Sequence, residues 1–84
     1  MLTGSRILVT GGTGSFGHKF VQMTLESHNP KQIIIYSRDE MKQWEMASKF
    51  KNNPKLKFII GDIRDYQNLS KVMHGVDFVV HAAA

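Results

Sequence analysis

The sequence predicts an α/β fold built on a parallel sheet, and three observations predict it. Four short apolar runs are spaced along the chain, each gap between them holds an amphipathic stretch of helical period, and the first run passes straight into a glycine-rich turn. Helices that alternate with strands cross over with a right hand and return the chain to the same edge of the sheet. The expected architecture is four strands in the order 3-2-1-4, the N-terminal part of a doubly wound sheet.

The first strand is Arg6-Ile7-Leu8-Val9-Thr10, rich in the β-branched residues that suit a buried pleat. Beyond the glycine turn, Phe16, Phe20 and Leu25 recur with Val21 and Thr24 at three-to-four spacing, which predicts a helix with one buried face, stopped by Asn29-Pro30. The second strand is Gln32-Ile33-Ile34-Ile35-Tyr36. Ser37-Arg38-Asp39-Glu40 then has the form of a capping box, with Ser37 accepting an amide hydrogen bond and Glu40 returning one. Met41, Trp44 and Ala47, joined by Met46 and Phe50, are the expected buried side of this second helix, so its methionines and tryptophan belong to the core. Asn52-Asn53-Pro54 ends it. The third strand is Leu56-Lys57-Phe58-Ile59-Ile60. Asp65 is placed to cap a third helix with apolar Leu69, Val72 and Met73, and Gly75 to close it. Val76-Asp77-Phe78-Val79-Val80 is the fourth strand.

The chain's 84 residues make one small domain at most. With 42% hydrophobic and 21% charged residues the composition is that of an ordinary soluble globular chain, which excludes disorder and fibrous repeats. No apolar run approaches the roughly 20 residues that span a bilayer, and Met1 to Arg6 does not read as a signal peptide. Zero cysteines exclude disulfides, thiolate metal sites and a cysteine nucleophile, so a reducing, cytoplasmic setting is expected. His18, His28 and His74 lack metal-ligand spacing. Eleven Lys and Arg against seven Asp and Glu leave a net charge of +4. Lys42, Lys49, Lys51, Lys55 and Lys57 are interspersed with acids and without interleaved aromatics, which favours a solvated face over a nucleic-acid groove. An anionic small molecule remains a possible partner.

Thr10-Gly11-Gly12-Thr13-Gly14-Ser15-Phe16-Gly17 nests two spacings: Gly12, Gly14 and Gly17 make G-x-G-x-x-G, and Gly11, Gly14 and Gly17 make G-x-x-G-x-x-G. A glycine at the strand end permits a tight turn, Gly14 admits a pyrophosphate against bare backbone, and Gly17 lets the helix pack on the sheet. The helix N-terminus adds free amides and a positive dipole end. Its position between a strand and a helix makes the motif a dinucleotide-binding fingerprint, and no Gly-Lys-Ser or Gly-Lys-Thr follows to suggest a nucleoside triphosphate loop. At the end of the second strand an NAD site carries an acid for the ribose 2′-hydroxyl. Here Ser37 stands in that place and Arg38 follows, with Lys42 one helical turn on, which fits the 2′-phosphate of NADP. The competing reading is a capping Ser37 and a solvated Arg38. After the third strand Asp62 could accept from the adenine amino group while Ile63 packs on its ring, or Asp62 is a plain turn residue. Alanines after the fourth strand allow close approach to the cofactor, and His81 is adjacent with no identifiable partner.

Together these residues resemble the extended short-chain dehydrogenase/reductase superfamily, and within it the polysaccharide-biosynthesis branch that contains inverting UDP-N-acetylglucosamine 4,6-dehydratases. The motifs are TGGTGSFG at Thr10 to Gly17, YSRDE at Tyr36 to Glu40, Lys42-Gln43, GDIRD at Gly61 to Asp65, and VDFVVHAAA at Val76 to Ala84. The resemblance implies an NAD(P)-binding Rossmann fold and tightly held NADP used without net consumption: hydride leaves the sugar C4, the C5 proton and the C6 oxygen depart as water, and hydride returns to C6. The implied product is a 4-keto-6-deoxy sugar for surface polysaccharide or other glycans. It further implies that Gly11, Thr13, Gly14, Ser15, Phe16 and Gly17 hold the pyrophosphate. Ser37, Arg38, Asp39 and Lys42 would hold the adenosine and its 2′-phosphate, Asp62 and Ile63 the adenine, and Ala82 and Ala83 the neighbouring ribose.

The family's Tyr-x-x-x-Lys pair is missing: four positions after Tyr36 and Tyr66 stand Glu40 and Ser70. Residues 1–84 are therefore expected to be the N-terminal NADP-binding portion of a nucleotide-sugar dehydratase, without catalytic residues and inactive alone, from a homo-oligomeric parent that takes a nucleotide sugar. Other readings are a nucleotide-sugar epimerase or reductase of the same superfamily, a non-catalytic dinucleotide sensor and, last, a nucleic-acid-binding module. In the 3-2-1-4 order the fourth strand is an edge, and marginal stability or self-association is expected of the chain alone.

Overall fold

Each apolar run becomes a strand. In the computed structural model, which describes residues 2–82, β1 (Arg6–Thr10), β2 (Gln32–Ser37), β3 (Leu56–Ile60) and β4 (Phe78–His81) form one sheet. They alternate with α1 (Ser15–Ser27), α2 (Glu40–Lys49) and α3 (Tyr66–Met73). The order is β3-β2-β1-β4 and every pairing is parallel, as the alternation requires. Ile7, Val9, Ile33 and Ile35 face one side of the sheet and are buried with Val21 of α1 and Met46 of α2. Leu8, Ile34 and Tyr36 face the other, under Leu69 and Val72 of α3. Burying each such aliphatic side chain contributes about 1.5–3 kcal/mol, and β1 and β2, covered on both faces, hold most of that gain.

The helices depart from the faces their periodicity suggests. In α2, Gln43 and Met46 are buried, whereas Met41 and Trp44 are 68% and 70% exposed. The cause is polar: the Gln43 side-chain amide donates to Ser37 Oγ at 2.9 Å and to the Ile59 carbonyl at 2.9 Å. Those bonds pin Gln43 over the ends of β2 and β3, which turns Met46 and Phe50 inward with it and the Met41–Trp44 stripe outward. The cap also differs. Ser37 ends β2, and Asp39 caps α2 by accepting from Lys42 N at 3.0 Å. Helix α2 stops at Lys49, and the following Lys51 and Asn52 take positive φ values of 56° and 53°.

In α1 the buried residues are Gly17, Val21 and Thr24, with Phe20 and Leu25 partly covered. Phe16 is 60% exposed, its ring stacked 6.4 Å from Phe20. In α3 the Asp65 carboxylate accepts from Asn68 N at 3.2 Å, as the capping pattern implies, while Met73 stays largely exposed. Gly75 closes the helix end at φ +79°. The fourth strand begins at Phe78 instead of Val76, because Val76 N is spent on the Met73 carbonyl and the Asp77 carboxylate accepts from Arg6 N at 2.8 Å. Among the described residues no helix is long and apolar enough to cross a membrane.

Candidate functional site

The carboxyl ends of all four strands open on one groove. Its volume is about 620 Å³ and it is lined by Gly11, Thr13 and Gly14 after β1, Tyr36, Ser37, Arg38 and Lys42 around the end of β2, Gly61 to Arg64 after β3, and Ala82 after β4. Parallel strands connected by right-handed crossovers place these loops at one edge, where ligands of open α/β sheets bind. Thr13, Ser37, Arg38 and Lys42 also line an adjoining hollow with Asp39 and Glu40, and Thr13, Gly14 and Ser15 line a third with His18 and Lys49. Ala83 lies outside the described residues.

The turn after β1 is built by its glycines. Gly11 adopts φ +65° and its N–H donates to the Tyr36 carbonyl at 2.8 Å, so the turn is tied to the end of β2 in a conformation that suits glycine. A Cβ on Gly17 would sit 1.9 Å from the Gly12 carbonyl oxygen. Gly17 thus lets α1 close on the turn itself, where the spacing suggested the sheet. A Cβ on Gly14 meets nothing within 4 Å: this backbone faces open groove at the N-terminal end of α1, whose amides and dipole suit an anion. Gly17 is buried beneath the turn and Phe16 points to solvent.

Across the groove, Tyr36 is fully buried, and its hydroxyl donates to the Asp62 carbonyl at 3.0 Å and accepts from Asn68 Nδ2 at 3.2 Å. Gly61 makes room for it, since a Cβ there would lie 2.4 Å from the Tyr36 ring. These contacts fix the β3–α3 loop and aim the Asp62 carboxylate along the groove. That carboxylate is already engaged: Arg64 Nη2 and Nε approach it at 2.7 and 3.1 Å, Arg64 N donates at 2.8 Å, and Arg38 Nη1 stands 3.7 Å away. The Arg64 guanidinium lowers the Asp62 pKa to about 2 and is itself held more firmly protonated. Three cationic side chains, Arg38, Lys42 and Arg64, line the groove against one carboxylate, Asp62, a balance that suits a phosphorylated ligand.

At the far end of the sheet edge, His81 Nδ1 lies 2.6 Å from Thr10 Oγ1, which supplies the partner the sequence did not reveal. His18 stands 3.3 Å from Lys49 Nζ; burial and then the Lys49 charge lower its pKa. No group of three or more metal-binding side chains occurs among the described residues.

A family model described as polysaccharide biosynthesis protein matches residues 7–84. The chain belongs to this family. It is 56% identical over all of its 84 residues to an inverting UDP-N-acetylglucosamine 4,6-dehydratase of Campylobacter jejuni, covering 25% of that protein. It is 49% identical to a UDP-glucose 4-epimerase of Rickettsia felis, again covering 25% of it. Among solved structures, Pen from Bacillus thuringiensis superposes with a TM-score of 0.92 at 32% identity, over 99% of this chain and 26% of that one. A dTDP-glucose 4,6-dehydratase from Bacillus anthracis in complex with NAD superposes with a TM-score of 0.74 at 28% identity, over 95% of this chain and 27% of that one. The chain therefore spans about a quarter of the length of the relatives it matches.

Residues that lie inside the motifs but were given no site role there support the groove: Arg64, which holds Asp62; Tyr36 and Gly61, which hold the loop; and Gln43, which holds Ser37. Only Arg64 left a local signal, an Arg two residues after an Asp in a turn.

Proposed function

We propose that this chain is the N-terminal, NADP-binding segment of a nucleotide-sugar 4,6-dehydratase that converts UDP-N-acetylglucosamine to a 4-keto-6-deoxy sugar for surface polysaccharide or glycan biosynthesis. The observation that carries the reading is the convergence of the glycine turn, the Ser37–Arg38–Lys42 cluster, the Asp62–Ile63 loop and Ala82 on one groove. Identity to the Campylobacter jejuni dehydratase supports the reaction class.

The residues fit a dinucleotide. The open face of Gly14 and the amides starting α1 receive the pyrophosphate, helped by Thr13 and Ser15; Ser37, Arg38 and Lys42 receive the 2′-phosphate, with Asp39 beside them. Ile63, 41% exposed over the groove, offers an apolar face to adenine next to Asp62, and Ala82 borders the ribose. The bound dinucleotide supplies hydride acceptance and return. The chain's own residues bind and orient it; the proton-moving groups and the sugar pocket belong to the remaining length of the protein.

No acid occupies the position of Ser37, so NADP is the proposed cofactor, although the Bacillus anthracis relative is in complex with NAD. Arg38→Ala should weaken NADP binding about tenfold relative to NAD, the loss of one charge-assisted contact of about 1.5 kcal/mol. Titration of both nucleotides checks this, and an unchanged preference would overturn it. Incubating the chain with NADP and UDP-N-acetylglucosamine should yield no keto-sugar by mass spectrometry. The epimerase relative favours a second reading, sugar-nucleotide epimerisation, which the product formed by the full-length enzyme distinguishes.

A further inference from the structure

Asp62 stands between two arginines that hold it unequally. Arg64 grips both carboxylate oxygens, at 3.1 Å from Nε to Oδ1 and 2.7 Å from Nη2 to Oδ2, and its backbone N–H adds a third bond. Arg38 reaches only Oδ2, from 3.7 Å, beyond hydrogen-bond distance, and its side chain is 72% exposed. A carboxylate can accept two parallel bonds from one guanidinium, and such forks are the strong ion pairs. The fork on Asp62 is taken by Arg64, which leaves Arg38 loosely attached at the groove wall. We propose that Arg64 is a positioning residue that sets cofactor preference: by occupying Asp62 it keeps the Arg38 guanidinium free for a phosphomonoester on the ribose.

Two consequences of removing Arg64 act in the same direction. With the guanidinium gone, Oδ2 is vacant and Oδ1 keeps only the bond from the residue 64 backbone N–H; Arg38, already within 3.7 Å of Oδ2, would then close on the carboxylate, and a 2′-phosphate would have to break that pair before gaining its own. The Asp62 charge, no longer cancelled by Arg64, would also oppose a phosphate drawn to Arg38, whose guanidinium stands 3.7 Å from that carboxylate, a separation within the screening length of about 8 Å at physiological salt. NAD, which has a hydroxyl at that position, feels neither effect. The backbone does not depend on this side chain, because Arg64 is largely exposed and the loop is held by Tyr36 and Asn68.

The inference rests on the reading that Arg38 meets a 2′-phosphate, and the test separates the two. NADP and NAD dissociation constants are measured by calorimetry on the full-length protein for the unaltered chain, Arg38→Ala, Arg64→Gln, Arg64→Lys and the pair Arg64→Gln with Asp62→Asn. Contacts common to both nucleotides cancel in the ratio of the two constants. Arg64→Gln should weaken NADP about tenfold and NAD less than about twofold, a fivefold to tenfold differential of about 1–1.4 kcal/mol. Arg64→Lys, which keeps the charge without the fork, should lie between. Adding Asp62→Asn should return the ratio to within about twofold of its starting value, since an amide no longer competes for Arg38. Equal weakening of both nucleotides by Arg64→Gln would reduce Arg64 to loop support and overturn the proposal. A ratio that stays low in the double variant would make Arg64 a direct phosphate ligand and would also overturn it. If Arg38→Ala leaves the ratio unchanged, the 2′-phosphate reading itself fails.

Discussion

Gly14 and Gly17 stand three residues apart in one turn and are required for opposite reasons. Gly17 is filled space: its missing Cβ is where the Gly12 carbonyl lies, 1.9 Å from the ideal position. Backbone cannot yield as a side chain does, so Gly17→Ala should destabilise the chain by about 3 kcal/mol or more, at the upper end of overpacking costs. Gly14 is empty space in an extended conformation any residue adopts, φ −85° and ψ −174°. Gly14→Ala should leave stability within about 0.5 kcal/mol while weakening the dinucleotide at least about tenfold, because its methyl enters the groove. Urea melts and nucleotide titrations on the two variants check the contrast; unchanged nucleotide affinity in Gly14→Ala would remove the pyrophosphate from this turn. Asp62 offers a second measurement at this scale. Arg64 depresses its pKa from 3.8 to about 2, so the folded carboxylate holds its proton more weakly than the unfolded one. The pair is then fully formed above the ordinary carboxylate value and is lost as pH falls through about 2. Carbonyl NMR should show a midpoint near 2 for Asp62, moving up toward the ordinary value in Arg64→Gln, and an unmoved midpoint would contradict the assignment.

Among the elements, α2 shows which parts of the fold the sequence makes legible. Its existence follows from periodicity, yet its ends and its face do not: the helix runs only from Glu40 to Lys49, and Met41 and Trp44 compete with Met46 and Phe50 as an apolar stripe until a glutamine decides between them. Gln43 acts through Ser37 and Ile59, six and sixteen residues away, and no window on the helix alone contains that information. The same holds for Tyr36 and Asp62, 26 residues apart. The strands were readable because their burial is written locally, as in Ile33-Ile34-Ile35, and the glycine turn because close backbone approach demands glycine at fixed spacing. The relocated cap has a measurable consequence. Asp39→Ala should destabilise α2 by about 1 kcal/mol, as loss of an N-cap does, with the loss read in thermal melts. An equal melting temperature would return the cap to Ser37. In α1, Thr24 Oγ1 is buried without a hydrogen-bond partner among the described residues. Thr24→Val keeps the shape and removes that unpaired hydroxyl, and stability should rise by about 1 kcal/mol in the same assay.

At the scale of the whole molecule, the sheet ends in two unlike edges. Among the described residues β3 pairs only with β2, and β4 only with β1. The β3 edge carries Lys57, exposed in mid-strand, and a charged residue there opposes pairing with another sheet. The β4 edge, Phe78-Val79-Val80-His81, carries no Lys, Arg, Asp or Glu, and Val79 is 49% exposed. Its outer N–H and C=O groups are available to a further strand, whether from the remaining length of the family's proteins or from a second copy. For the 84 residues alone, association should therefore run through β4: sedimentation velocity should show concentration-dependent species, and Val79→Lys should shift them toward monomer while Ile60→Lys, on the last residue of the already charged β3 edge, should not. A monomer at all concentrations would show that four strands satisfy this sheet without a neighbour, and an equal effect of both substitutions would trace association to exposed apolar surface in general instead of to the open edge.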